Sequence, residues 1–178
     1  MHYDLSSSPL PLLVILMTII LVGVVAMMIQ AIFHPKSATK IAHPQHLIDC
    51  DADPLCPEGW EVVEHRKHGQ LEWNPAKIRL YLSKQQTGGM GIEDNELRKE
   101  LEVLPVMNAN VLDYLLKHPE LVPDEWDIAF LWGTIYRDLI SGELCVRCLC
   151  RHPRGLCWSY RWLSDGFYDC HPAAVSAS

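Results

Sequence analysis

Residues 129–163, AFLWGTIYRDLISGELCVRCLCRHPRGLCWSYRWL, decide the fold. Three runs rich in aromatic and β-branched residues, 129–137, 144–150 and 157–163, are separated by Ser141-Gly142 and by Pro153-Arg154-Gly155. Runs of this composition between turn-forming residues read as strands. Joined by short turns, they predict an antiparallel three-stranded meander. Alternation along a strand then sorts the side chains by face. Trp158, Tyr160 and Trp162 share one face of the last strand and Arg161 takes the other. Trp132 and Tyr136 share a face of the first strand, and Arg147 lies nearby on the second.

Upstream the period changes. Leu97 and Leu101 form an i,i+4 apolar pair in a helix over 94–102. A helix over 108–117 starts at Asn108, a favoured N-cap, and carries a core stripe of Val111, Leu112, Leu115 and Leu116 before Pro119 stops it. Asn74-Pro75 reads as an N-cap followed by proline at the first helical position, which predicts a further helix from Pro75 through Lys77 to Gln86, closed by Gly88-Gly89. Residues 60–65 have strand character, and Gly69 turns them into a partner over 70–73. The last residues, 173–178, read as a disordered tail. The expected class is α+β: short helices first, the meander last.

Residues 10–33, LPLLVILMTIILVGVVAMMIQAIF, contain no Asp, Glu, Lys, Arg or His. As a helix they measure about 36 Å, against a hydrocarbon core of about 30 Å, and predict a transmembrane helix. The preceding residues lack Lys and Arg and the apolar run is long, which argues against a cleaved signal peptide. Lys36 and Lys40 follow the run, so the positive-inside rule places the N-terminus outside and the domain in the cytoplasm. The expected organisation is a flank (1–9), a transmembrane helix (10–33) with the lipid bilayer as partner, a linker (34–57), a soluble α+β domain (58–172) and the tail (173–178). The expected localisation is a single-pass membrane protein.

The formal net charge of −7 is a poor basis for binding a phosphate backbone and argues against nucleic acid as the main partner. The two helices and the hairpin also invite a winged-helix reading, but the segment 109–117 has one Lys, one Asp and a strongly apolar face, which suits a major groove badly. Catalytic signatures are missing: the chain has no GxSxG, P-loop, GxGxxG or HExxH. His65 and His68 fall on opposite sides of a strand, and a solvated hairpin explains them better than a shared ion.

Seven cysteines, an odd number, leave at least one thiol unpaired in a monomer. Cys145, Cys148, Cys150 and Cys157 are the candidate metal ligands, yet their spacing is wrong for two zinc knuckles. On a strand Cys148 and Cys150 share a face and Cys145 points away, so small apolar core residues are the primary reading. No cofactor is predicted; zinc, or a disulfide or redox role, is the alternative.

The runs GWEVVEHRKHGQLEWNPAKIRLYLSKQ, NELRKELE, NANVLDYLLKHPELVPDEW and LWGTIYRD, followed by LCVRCL, WLSD and PAAV, are similar to a group of uncharacterised bacterial proteins. The resemblance covers roughly residues 58–178, and WNP, NANVLDYLL and FLWGTIYRD are its most specific parts. Members of that group mostly begin near the domain, so the apolar segment is a departure. The resemblance implies a shared domain and no particular activity.

The functional expectation is a membrane-tethered, non-enzymatic interaction module that presents the meander face to a protein or peptide. Its candidate surface is Trp132, Tyr136, Arg147, Trp158, Tyr160, Arg161 and Trp162, since arginines beside aromatic rings make stacking surfaces. The alternative is a cysteine-dependent metal or redox protein, or an enzyme, using the Cys145–Cys157 region.

Overall fold

The long strand Ile128–Asp138 organises the molecule, and every other strand of the main sheet is placed by its relation to it. The computed structural model describes residues 46–89 and 91–177. Among these, the elements in chain order are β1 (Leu47–Asp49), β2 (Trp60–His65), β3 (Gln70–Glu72), β4 (Ile78–Tyr81), α1 (Asp94–Glu102), α2 (Ala109–Lys117), β5 (Ile128–Asp138), β6 (Leu144–His152), β7 (Gly155–Trp162) and β8 (Ala173–Ser176). The main sheet runs β4-β8-β5-β6-β7, with β2 also paired to β5; β1 and β3 form a separate ribbon.

One edge of β5 pairs with β6 along its length, and the other is shared between β8 at Phe130 and β2 from Thr134 to Asp138. The change of partner falls at Gly133. Its N–H donates to Met107 O (2.8 Å) and its carbonyl accepts from Arg66 N–H (2.7 Å), so neither group joins a regular ladder there. A Cβ at this position would stand 2.9 Å from Asn108 Cα and from Met107 O, and only glycine fits. Between Phe130 and Ile135 the β5–β6 register also shifts.

Each face of the sheet has its own core. On one, α2 contributes Val111, Leu112 and Leu115 against Ala129, Leu131, Leu149 and Ala174, and the ribbon adds Ile48 and Trp73. On the other, α1 contributes Leu97 and Leu101 against Phe130, Trp132, Val146, Cys148, Ala173 and Val175, joined by Leu163 and Phe167.

The expected class is corrected by this arrangement. The domain is mostly sheet: the segments 129–137, 144–150 and 157–163 do pair as successive antiparallel strands, but they are one side of a larger, mixed sheet, with the third at its edge, rather than a separate meander closing a helical domain. Of the expected disordered tail, Ala173–Ser176 is instead a strand: Ala173, Ala174 and Val175 are buried in β8, where small side chains fit between the two cores. The helix expected over 75–86 is replaced. Asn74 does cap a turn, accepting from Ala76 N–H at 3.0 Å, but the turn is a single 3-10 turn at Pro75–Lys77. Ile78–Tyr81 then extends as β4, because pairing with β8 satisfies its backbone. The strand β2 pairs with β5 and β3 with β1, so the expected 60–73 hairpin does not form, and part of the expected linker is β1.

The single-pass membrane architecture and localisation are corrected as well. Among the described residues no helix is long and apolar enough to cross a membrane. The helices α1 and α2 have 9 residues each, about 14 Å of rise against a hydrocarbon core of about 30 Å. Residues 10–33, on which the transmembrane helix and its bilayer partner rested, lie outside the described residues, as do Lys36 and Lys40.

Candidate functional site

Helix α2 covers only part of its face of the sheet, and what it leaves open is a groove. Asn108 starts the helix: its Oδ1 accepts from Asn110 N–H (3.2 Å), and its Nδ2 donates to Cys50 O (2.8 Å) and Arg66 O (2.9 Å). The cap thus ties the helix to the segment after β1 and to the end of β2. Thr134 Oγ1 accepts from Ala109 N–H (3.0 Å), which leaves its hydroxyl hydrogen for His65 Nδ1 (2.8 Å). His65 then carries its hydrogen on Nε2, directed at Cys50 O (3.2 Å). Asn110 Nδ2 completes the frame by donating to Asp49 O and Ala52 O, both at 2.8 Å.

The groove so framed has a volume of about 630 Å³. One wall is β1 and the residues after it, with Asp49, Asp53 and Leu55; the other is α2, with Asn110, Asp113, Tyr114 and Lys117. These four helix residues stand at i, i+3, i+4 and i+7, the polar face opposite the core stripe. Arg147 and Trp158 complete the lining.

Arg147 lies in the middle of β6, 1% exposed. Its Nη2 donates to Asp113 Oδ1 (2.8 Å) and its Nη1 to Asp113 Oδ2 (3.4 Å), with longer contacts from Nη1 to Tyr136 Oη (3.4 Å) and Leu55 O (3.5 Å). Among the described residues its Nε has no hydrogen-bond partner. Burial works against the guanidinium charge, but hydrogen bonds to Asp113 and Tyr136 outweigh it and hold the group above its ordinary value. Burial in turn pushes the Tyr136 phenol up to about 12, against the lowering effect of Arg147. The Trp158 indole lies 4.5 Å from Arg147 Cζ, within cation–π range.

Beside Trp158 an aromatic cluster continues along the sheet. Trp60 of β2 meets Tyr160 of β7 with ring centroids 4.9 Å apart and Tyr136 of β5 at 5.7 Å, and Tyr160 meets Trp162 at 4.9 Å. On a flat sheet β2 and β7 would be three strand spacings apart, about 14 Å. The sheet therefore curls toward this face, and the large rings reach over the small Cys145 between them. Trp158 is 40% exposed and Tyr160 42%.

Of the seven residues expected to form one surface, Tyr136, Arg147, Trp158, Tyr160 and Trp162 come together here, although Tyr136 and Arg147 are buried beneath it. Trp132 does not. In a regular strand it would share a face with Tyr136, but the register shift between Phe130 and Ile135 turns it into the α1-side core. Arg161 takes the opposite face of β7, as alternation along the strand places it, its Nε donating to Gly166 O at 2.6 Å and its Cζ 5.8 Å from the Phe167 ring centroid. Sequence reasoning missed Asn110, Asp113, Tyr114 and Lys117; their signal was the polar i, i+3, i+4, i+7 stripe on a helix read only for its core.

The four cysteines proposed as ligands are split. Cys145 sits with Tyr136, Cys148 in the α1-side core, and Cys150 and Cys157 near the tip of the β6–β7 hairpin. Among the described residues no group of three or more His, Cys, Asp or Glu side chains is placed to hold a metal ion. Burial pushes the thiols of Cys145 and Cys148 up to about 12 and that of Cys50 to about 11, which suits core packing better than nucleophilic catalysis.

Compared with known proteins, the chain matches no protein-family model, no curated protein and no solved structure.

Proposed function

We propose that this domain is a non-enzymatic interaction module whose groove receives a short polypeptide segment bearing an apolar side chain next to a Lys or Arg. The observation that carries the proposal is Trp158: a large ring 40% exposed at the groove and already fixed against a buried guanidinium. Binding hot spots are enriched in such rings, and a ring ordered before binding loses little entropy on binding. Tyr160 and Leu55, the latter 58% exposed, extend the apolar surface beyond a single pocket, as a chain-like ligand requires.

Charge selects the kind of segment. Asp113 is occupied by Arg147, so Asp49, Asp53 and Lys117 are the remaining charged residues of the lining, two acidic against one basic. The groove therefore favours a cationic neighbour to the apolar anchor. Arg147 gives no support to an anionic ligand, because its charge is already neutralised by Asp113. That disfavours phosphate and nucleic acid.

A random-peptide display library panned against the full chain tests this reading. The expected outcome is a consensus with an aliphatic or aromatic residue beside Lys or Arg, whose affinity falls about 30-fold in Trp158→Ala, equivalent to about 2 kcal/mol. A consensus that is acidic, or that binds Trp158→Ala as well as the wild type, overturns it.

A further inference from the structure

We propose that Cys150 and Cys157 form a reversible intrachain disulfide, which makes the tip of the β6–β7 hairpin a thiol-oxidation site. The two residues are direct partners in the antiparallel register. Such partners hold their Cα atoms about 4.5–5.5 Å apart, inside the range of about 4.4–6.8 Å that a disulfide spans. The Sγ atoms already stand 2.8 Å apart and need to close by only about 0.8 Å to reach the bonded distance of about 2.04 Å. Among the described residues this is the one sulfur–sulfur contact. Cys50, Cys145 and Cys148 are buried, whereas Cys157 is exposed on an edge strand and Cys150 is half-buried behind it.

The chemistry balances with a low-molecular-weight disulfide as oxidant. The Cys157 sulfur, as its thiolate, attacks one sulfur of the oxidant, forming a mixed disulfide and expelling one thiolate. The Cys150 sulfur then loses its proton, attacks the Cys157 sulfur and expels the second thiolate. The protein gives up two electrons and two protons, and the oxidant leaves as two thiols. Burial, then contact with Cys157, pushes the Cys150 thiol up to about 12, which assigns it the second, resolving step. The site is independent of the peptide groove, since neither sulfur lines it.

The test incubates the full chain in glutathione buffers of graded oxidised-to-reduced ratio, quenches with acid, alkylates and maps the peptides by mass spectrometry. The expected product is a monomer with a Cys150–Cys157 link that dithiothreitol reverses. Cys150→Ser should instead trap Cys157 as the glutathione adduct, and Cys157→Ser should leave Cys150 alkylatable. Two outcomes overturn the proposal: both thiols alkylated at the most oxidising ratio, or wild-type Cys157 stopped at the glutathione adduct.

Discussion

Replacing Asp113 by Ala should cost more stability than replacing its partner Arg147 by Met, although both changes break the same ion pair. The asymmetry follows from burial. Arg147 is 1% exposed, and without Asp113 its remaining contacts, at 3.4 and 3.5 Å, are too long to compensate a buried charge. Stranding a buried charge costs about 3 kcal/mol. Asp113 is 17% exposed on the groove wall, so after Arg147→Met water reaches its carboxylate. That variant should lose only about 1 kcal/mol, mostly the stacking beneath Trp158. In the double variant no charge is stranded, and the loss should return to about 1 kcal/mol instead of the additive value of about 4 kcal/mol. Urea unfolding followed by far-UV circular dichroism reads these differences. With a slope of about 2 kcal/mol per molar, Asp113→Ala lowers the midpoint by about 1.5 M and the double variant by about 0.5 M. Equal losses for the two single variants, or an additive double variant, would refute the view that Arg147 is a buried cation held by Asp113.

Three further results are expected. Gly133→Ala forces a methyl against the Asn108 and Met107 backbone and should lower stability by about 2–3 kcal/mol; an unchanged thermal midpoint would mean that the turn in β5 yields freely. His171 accepts Tyr168 N–H on Nδ1 at 3.0 Å, and burial, assisted by Arg161, holds its pKa below the usual value. The folded state therefore favours the neutral ring: stability is full above about pH 6.5, falls as the unfolded chain takes up its proton below that, and should fall less steeply in His171→Gln unfolding curves. In the reduced native chain a maleimide should label Cys56, Cys157 and Cys170 rapidly and Cys50, Cys145 and Cys148 only after unfolding, with peptide mapping as the readout; fast labelling of Cys148 would contradict its place in the core.

Where local chemistry decides the structure, the sequence was readable. Asn108 and Pro119 bound α2, and Leu97 and Leu101 mark the buried side of α1. Alternation put Trp158, Tyr160 and Trp162 on one face of β7, where they are found. It failed where long-range pairing decides. Asn74-Pro75 is a genuine capping signal, but β8 recruits the next residues into the sheet. Ala173 and Ala174 have little strand propensity, and with Val175 they are buried because two cores meet at β8. Trp132 was misassigned because an irregularity at Gly133 cannot be counted in a period-two pattern before the packing of Asn108 against it is known. Asp113 was overlooked because the buried arginine it serves lies 34 residues further along the chain.

The groove as a polypeptide site is tested most directly by NMR titration of the ¹⁵N-labelled full chain with the consensus peptide from the display selection. The Trp158 indole N–H, assigned with Trp158→Phe, should shift together with the Asn110 side-chain amide and the backbone of residues 47–55. Shifts confined to the opposite face, around Trp132 and Arg161, with the Trp158 signal unmoved, would contradict it.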